Sequence, residues 1–199
     1  SKGSKDTMRV EISSVELSPA FARDPEIMQV WAEVDILGLG ESSPLATPRL
    51  PKGASPTVDF AFANTVGVPA GSRQQATLRN ALVSEHSADA EVYFSVRSAN
   101  RRGDEKMVGQ GALNLKDMLL VPGVDLHSVP VKLQGPQGPA GSLKVSLVAL
   151  EAMKAAVPAS MLAKMQARSG ASTGGKPAEA PKVRVDVGAL TLASAVKAD

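Results

Sequence analysis

The chain has no cysteine, one tryptophan, one tyrosine, four phenylalanines and two histidines in 199 residues. Without cysteine there are no disulfides and no thiolate metal sites. With so few aromatics the core must be built from Val, Leu, Ile and Ala. No apolar run is long enough to cross a bilayer. Neither charge sign dominates: 22 basic and 20 acidic residues give a net charge of +2. That excludes a domain-wide field for nucleic acid. His86 and His127 lie far apart and outside any zinc-type spacing, and His127 reads as a packed or edge residue of an apolar strand. There is no Gly-x-Ser-x-Gly elbow and no glycine-rich phosphate loop, so no enzyme, metal or cofactor is expected.

What is present is alternation. Met8–Leu17 alternates apolar and polar residues, with a slip near Ser13 and Ser14, and Ser18-Pro19 ends the run. Gln29–Leu37 reads as a second strand, with Trp31 in core packing by default. Pro44, Pro48, Pro51 and Pro56 remove backbone donors, so 44–56 is an edge or a connector. Thr57–Val66 alternates again through Val58, Phe60 and Phe62. From Ser72 to Glu85 the period becomes helical: Leu78, Ala81, Leu82 and Glu85 follow that spacing, Leu78 and Leu82 share one face, and Ser72 with Gln75 resembles a capping box.

Glu91–Val96 then enters a polar loop, Arg97–Lys106, and Met107–Leu115 leaves it through Gly109 and Gly111. Lys116–Leu120 has the length of one helical turn. Asp125–Leu133 and Ser142–Leu150 are further strands, joined by a Gly-Pro-rich hairpin loop at 134–141. Ala149–Val157 favours helix until Pro158, and Ser160–Arg168 can form another, with Met161 and Met165 on one face.

The expected architecture is an all-β, antiparallel, eight-stranded sandwich with one short inserted helix. Residues 1–7 are a polar leader, 8–157 the sandwich, and 158–182 a flexible linker that can hold a short helix. Val183–Asp199 aligns without gaps on Met8–Asp24, pairing Arg184 with Arg9, Val185 with Val10, Leu192 with Leu17, Ala195 with Ala20 and Asp199 with Asp24. This reads as the first strand of a second, truncated repeat, in a segment cut from a longer chain.

Phe94–Asn100 followed by Met107-Val-Gly109 resembles the third-loop region of a C2 domain. In that family a strand ends in an aspartate-any-aspartate pair, and a glycine opens the next strand. With Gly109 as that glycine, the two aspartate positions fall on Ser98 and Asn100. The later acidic position falls on or beside Lys106, just after Asp104 and Glu105. A wider resemblance covers Met8–Val157 and is to the C2 domain of the RPGR-interacting protein family. It is carried by Met8–Leu17, Arg23–Trp31, the Pro-rich connector before Val58–Phe62, the helix Arg73–Leu82, and Gly141–Met153.

The resemblance implies a C2-type sandwich in a multi-domain cytoplasmic scaffold of the cilium or flagellum, at the axoneme or ciliary base. Its implied partners are other ciliary or cytoskeletal proteins and a tandem C2-like repeat in the same chain. Calcium requires six to eight oxygens, several from carboxylates. The aligned positions instead offer a hydroxyl, an amide and a lysine, so the module is expected to be calcium-independent. Arg97, Arg101, Arg102 and Lys106 are the candidate contacts, for a protein partner first. The alternative is the anionic phospholipid of a peripheral membrane site, although the loop from Arg97 to Lys106 holds no apolar residue to insert.

Overall fold

The computed structural model describes residues 3–40, 44–121 and 123–171. The linker residues 172–182 and the repeat expected at 183–199 lie outside the described residues.

Among the described residues, alternation becomes strand wherever it was expected. The strands are β1 (Thr7–Leu17), β2 (Gln29–Ile36), β3 (Leu45–Ala46), β4 (Leu50–Pro51), β5 (Thr57–Gly67), β6 (Glu91–Ala99), β7 (Glu105–Asn114), β8 (Leu126–Gly135) and β9 (Gly138–Val148). Every pairing is antiparallel. The order is β3-β2-β6-β7-β8-β9-β1-β5, with β4 also on β2. β7 and β8 share a single residue pair, Gln110 with Gln134. The sheet folds over at that seam into two layers, β3/β4-β2-β6-β7 and β8-β9-β1-β5. Gly111 permits the close crossing: a Cβ there would stand 2.4 Å from the Lys132 carbonyl oxygen.

Among the described residues nine strands stand where eight were expected. The difference lies in the Pro-rich connector, whose two short strands form one interrupted edge along β2. Between them the Thr47 N–H donates to Ala32 O (2.8 Å), and the Thr47 hydroxyl accepts from Ala32 N (3.0 Å). A side chain thus replaces a ladder bond where Pro48 follows.

The slip in β1 is real. Met8, Val10 and Ile12 point inward, then Val15 and Leu17 do, because Ser13 is an extra residue against β9. Without it the second half would turn its apolar residues to solvent.

The helices are α1 (Pro19–Arg23), α2 (Arg73–Val83), α3 (Leu115–Leu120), α4 (Leu150–Ala156) and α5 (Ala159–Ala171). Only α1 has no counterpart in the sequence reading, since five residues are too few to display a period. α2 is the inserted helix. Its Ser72 hydroxyl accepts from Gln75 N (3.1 Å), while the Gln75 side chain accepts from Gly71 N (2.9 Å), one residue beyond an ordinary capping box. α4 is capped from a distance: Asp125 Oδ1 accepts from Ala149 N and Leu150 N, both at 2.9 Å.

One apolar cluster fills the space between the layers. One expectation about placement fails. Trp31 is only 2 % exposed, yet it lies on the outer face of β2, because the inward positions are Val30, Ala32, Val34 and Ile36. Of the two readings of His127, packed or edge, the packed one does not hold: His127 is exposed, at an irregularity where Ser128 has φ of 52° and the β8–β9 ladder skips.

Candidate interaction site at the sandwich rim

Three connections converge at one end of the sandwich: α1 with its following loop, the β6–β7 turn, and the tight β8–β9 turn at Pro136-Gln137. Lys52 sets the first. Its ammonium donates to the carbonyls of Phe21 (3.3 Å), Ala22 (2.9 Å) and Asp24 (2.5 Å), which gather at the C-terminal end of α1. A cation is favoured there by the carbonyl dipoles. Asp24 Oδ1 then accepts from Glu26 N at 2.9 Å and shapes the loop.

Asn100 sets the second connection. Its Oδ1 accepts from Arg102 N (2.8 Å) and Asp104 N (3.0 Å), and its Nδ2 donates to Asp104 Oδ2 (2.9 Å). The amide that stands where an acid was anticipated is therefore the staple of its own turn.

Between these connections lies an open cleft of about 370 Å³. Phe21, Ile27, Met107 and Pro136 supply its apolar wall. Asp24, Glu26, Ser98, Asn100, Asp104 and Lys106 supply its polar wall. Ser98 is buried, and Lys106 is its cross-strand neighbour. Among the described residues no three carboxylate or imidazole side chains gather into a group able to hold a metal ion.

The four candidate contacts separate. Lys106 lines the cleft, and Arg101 and Arg102 flank an adjoining hollow with Pro25, Glu26 and Asn100. Arg97 belongs to the outer face of β6, where it pairs with Glu33 (3.8 Å) and Glu105 (3.5 Å). Glu105 also holds Arg49, so it is turned away from the rim. Sequence reasoning missed Glu26 and the exposed methionines Met28 and Met107. Glu26 had its signal in the acids of Arg23–Glu26. The methionines had none, because alternation does not say which strand ends stay uncovered.

A family model described as "Retinitis pigmentosa G-protein regulator interacting C-terminal" matches residues 4–158. The chain belongs to this family. No curated protein matches it. Among solved structures it is similar to CC2D1B, described as coordinating ESCRT-III activity during the mitotic reformation of the nuclear envelope. That match has 14 % identity and a TM-score of 0.55, over 82 % of this chain and 60 % of that one. The chain also resembles a C2 domain of plant extended synaptotagmin 1, with 14 % identity and a TM-score of 0.45, over 72 % of this chain and 92 % of that one. Human GIVD cytosolic phospholipase A2 matches over 74 % of this chain but 17 % of its own, with 11 % identity and a TM-score of 0.46. The fold of this family member is the C2-type sandwich, a framework used typically as a binding module. Among the described residues no helix is long and apolar enough to cross a membrane.

Proposed function

We propose that this domain is a calcium-independent protein-interaction module of a cytoplasmic scaffold in the cilium or flagellum, with no catalytic activity of its own. Its partners are other ciliary or cytoskeletal proteins. A tandem C2-like repeat in the same chain raises the effective concentration of each domain for a shared partner.

The observation that carries this reading is the chemistry of the rim cleft. Lys106 adds an ammonium to the lining of the cleft, Ser98 brings a hydroxyl, and Asn100 and Asp104 bond to each other. Calcium would need several carboxylates released toward one point. A cleft with mixed charge and an apolar wall instead suits the rim and core of a protein interface. The family description, which names an interaction with a G-protein regulator, supports a protein partner.

Calorimetric titration with calcium tests the first half of the proposal. No binding heat is expected up to millimolar calcium, and a micromolar dissociation constant would defeat it.

A second reading, binding to anionic membranes, has its own support. Arg101 and Arg102 are exposed at the tip, with Met28 and Met107 exposed nearby. Sedimentation with phosphatidylserine vesicles separates the two readings. Under the scaffold reading the domain stays in the supernatant. Pelleting that is abolished by Arg101→Glu with Arg102→Glu would establish the membrane reading instead.

A further inference from the structure

The only tryptophan and the only tyrosine of this aromatic-poor chain project from the same outer sheet face. Ladder register sets their places: Trp31 opposes Arg97, and Asp35 opposes Tyr93. Trp31 and Asp35 are four residues apart on β2, which separates the two aromatic positions by about 13 Å at the usual rise per residue. The Trp31 end lies toward the rim, and the Tyr93 end lies at the far end of β6.

At the Trp31 end the face already holds a guanidinium. The Arg49 guanidinium carbon sits 4.1 Å from the Trp31 ring centroid. Glu105 pairs with that arginine, and the indole N–H donates to Glu33 at 3.1 Å. The pattern is an aromatic platform, a stacked guanidinium and flanking carboxylates.

The Tyr93 end repeats the platform and the carboxylates. Tyr93 is 47 % exposed, and its neighbour on β7 is the small Ala112. Glu91 stands on the same face of β6, Asp35 opposes Tyr93 on β2, and Asp89 precedes the strand. Glu91 first, by hydrogen bonding, and then desolvation and the charges of Glu91 and Asp89 hold the Tyr93 phenol above its usual pKa. Among the described residues, Trp31 is the ring with a cation stacked over it, and Tyr93 has none.

We propose that Tyr93, with Glu91 and Asp89 beside it, is a docking site for an arginine side chain of a partner protein. A planar guanidinium can stack on the ring while its edge donates to the carboxylates, which a lysine ammonium cannot do in the same way. Tyrosine and tryptophan are enriched where interfaces concentrate their binding energy. The site is separate from the rim cleft and goes beyond the function proposed above.

Tyr93 is the only tyrosine, so phenol absorbance during a pH titration reads this site alone. The probe is a capped Gly-Arg-Gly peptide at millimolar concentration, with its citrulline counterpart as the neutral control. Arginine keeps its charge throughout tyrosine ionisation. The arginine peptide should lower the Tyr93 pKa, and the citrulline peptide should leave it unchanged. In amide NMR spectra of the whole chain, shifts should centre on Asp35, Glu91 and Tyr93. Tyr93→Ala and Glu91→Gln should each weaken binding by about two- to fivefold, while Tyr93→Phe should retain it. Equal responses to both peptides, shifts confined to the rim, or unchanged binding in Tyr93→Ala would each overturn the proposal. So would Tyr93 shifts that follow protein concentration without peptide, since they would assign the patch to a second copy of this chain.

Discussion

Arg49 does more than contribute a charge. It roofs Trp31, and it reaches that position from the Pro-rich connector by holding Glu105 on β7. Arg49→Ala should uncover the ring, shift the emission of the single tryptophan to the red, and lower stability by about 0.5–1 kcal/mol. Fluorescence-monitored urea unfolding measures both effects.

Tyr93 makes a prediction about pH. Its folded pKa lies above the usual value of 10.0, so the folded chain holds the phenol proton more tightly than the unfolded chain. The corresponding stability is intact below the unfolded pKa and is lost as pH rises through the folded one. Glu91→Gln removes the largest cause. The absorbance midpoint should then fall toward the usual value, and the alkaline loss of stability should shrink.

At the level of elements, α4 depends on chemistry supplied from elsewhere in the chain. The N-cap residue of α4 is Ala149, which has no side-chain acceptor, so the cap comes from Asp125 in the loop before β8. Asp125→Ala should cost about 1–2 kcal/mol, as loss of a cap does. Hydrogen exchange should quicken at the amides of Ala149 and Leu150 before it does in β1 or β6. Ser72 and Gln75 cap α2 within four residues, and that capping was legible in the sequence. The Asp125 cap was not, because nothing local links 125 to 149. The Pro-rich connector lies between these cases. Proline announced an edge, but only the ladder revealed Thr47 donating and accepting in place of a strand residue.

For the whole molecule, the boundary of the folding unit is a testable matter. α4 follows the last strand and places Leu150, Ala152, Met153 and Ala156 in the core, with Val157 just beyond. A chain ending after Val157 should therefore unfold cooperatively. A chain ending after Val148 should lose the native near-ultraviolet signal, since removal of Met153 alone is expected to cost about 2–5 kcal/mol. Circular dichroism of the two truncations checks this.

The sequence by itself determined the main strands, the β1 slip, the inserted helix, a hairpin within 134–141 (the strands run on into it and leave only 136–137 as the turn) and the family. These are written in local periods of two and 3.6 residues and in the special backbone needs of proline and glycine. Tertiary structure alone decided which face hides Trp31, where Arg97 turns, and which acids share the rim cleft. Alternation states that a residue is buried without stating what buries it, and Trp31 is buried by an arginine on the outside of the sheet. The cleft joins residues from 21–27, 98–107 and 136–137, and their meeting depends on registers accumulated across several ladders. The stretch from Arg97 to Lys106, read in the sequence as one polar loop, is a loop only from 100 to 104; it keeps Arg101, Arg102 and Lys106 at the rim, while Arg97, inside β6, braces the sheet's outer face.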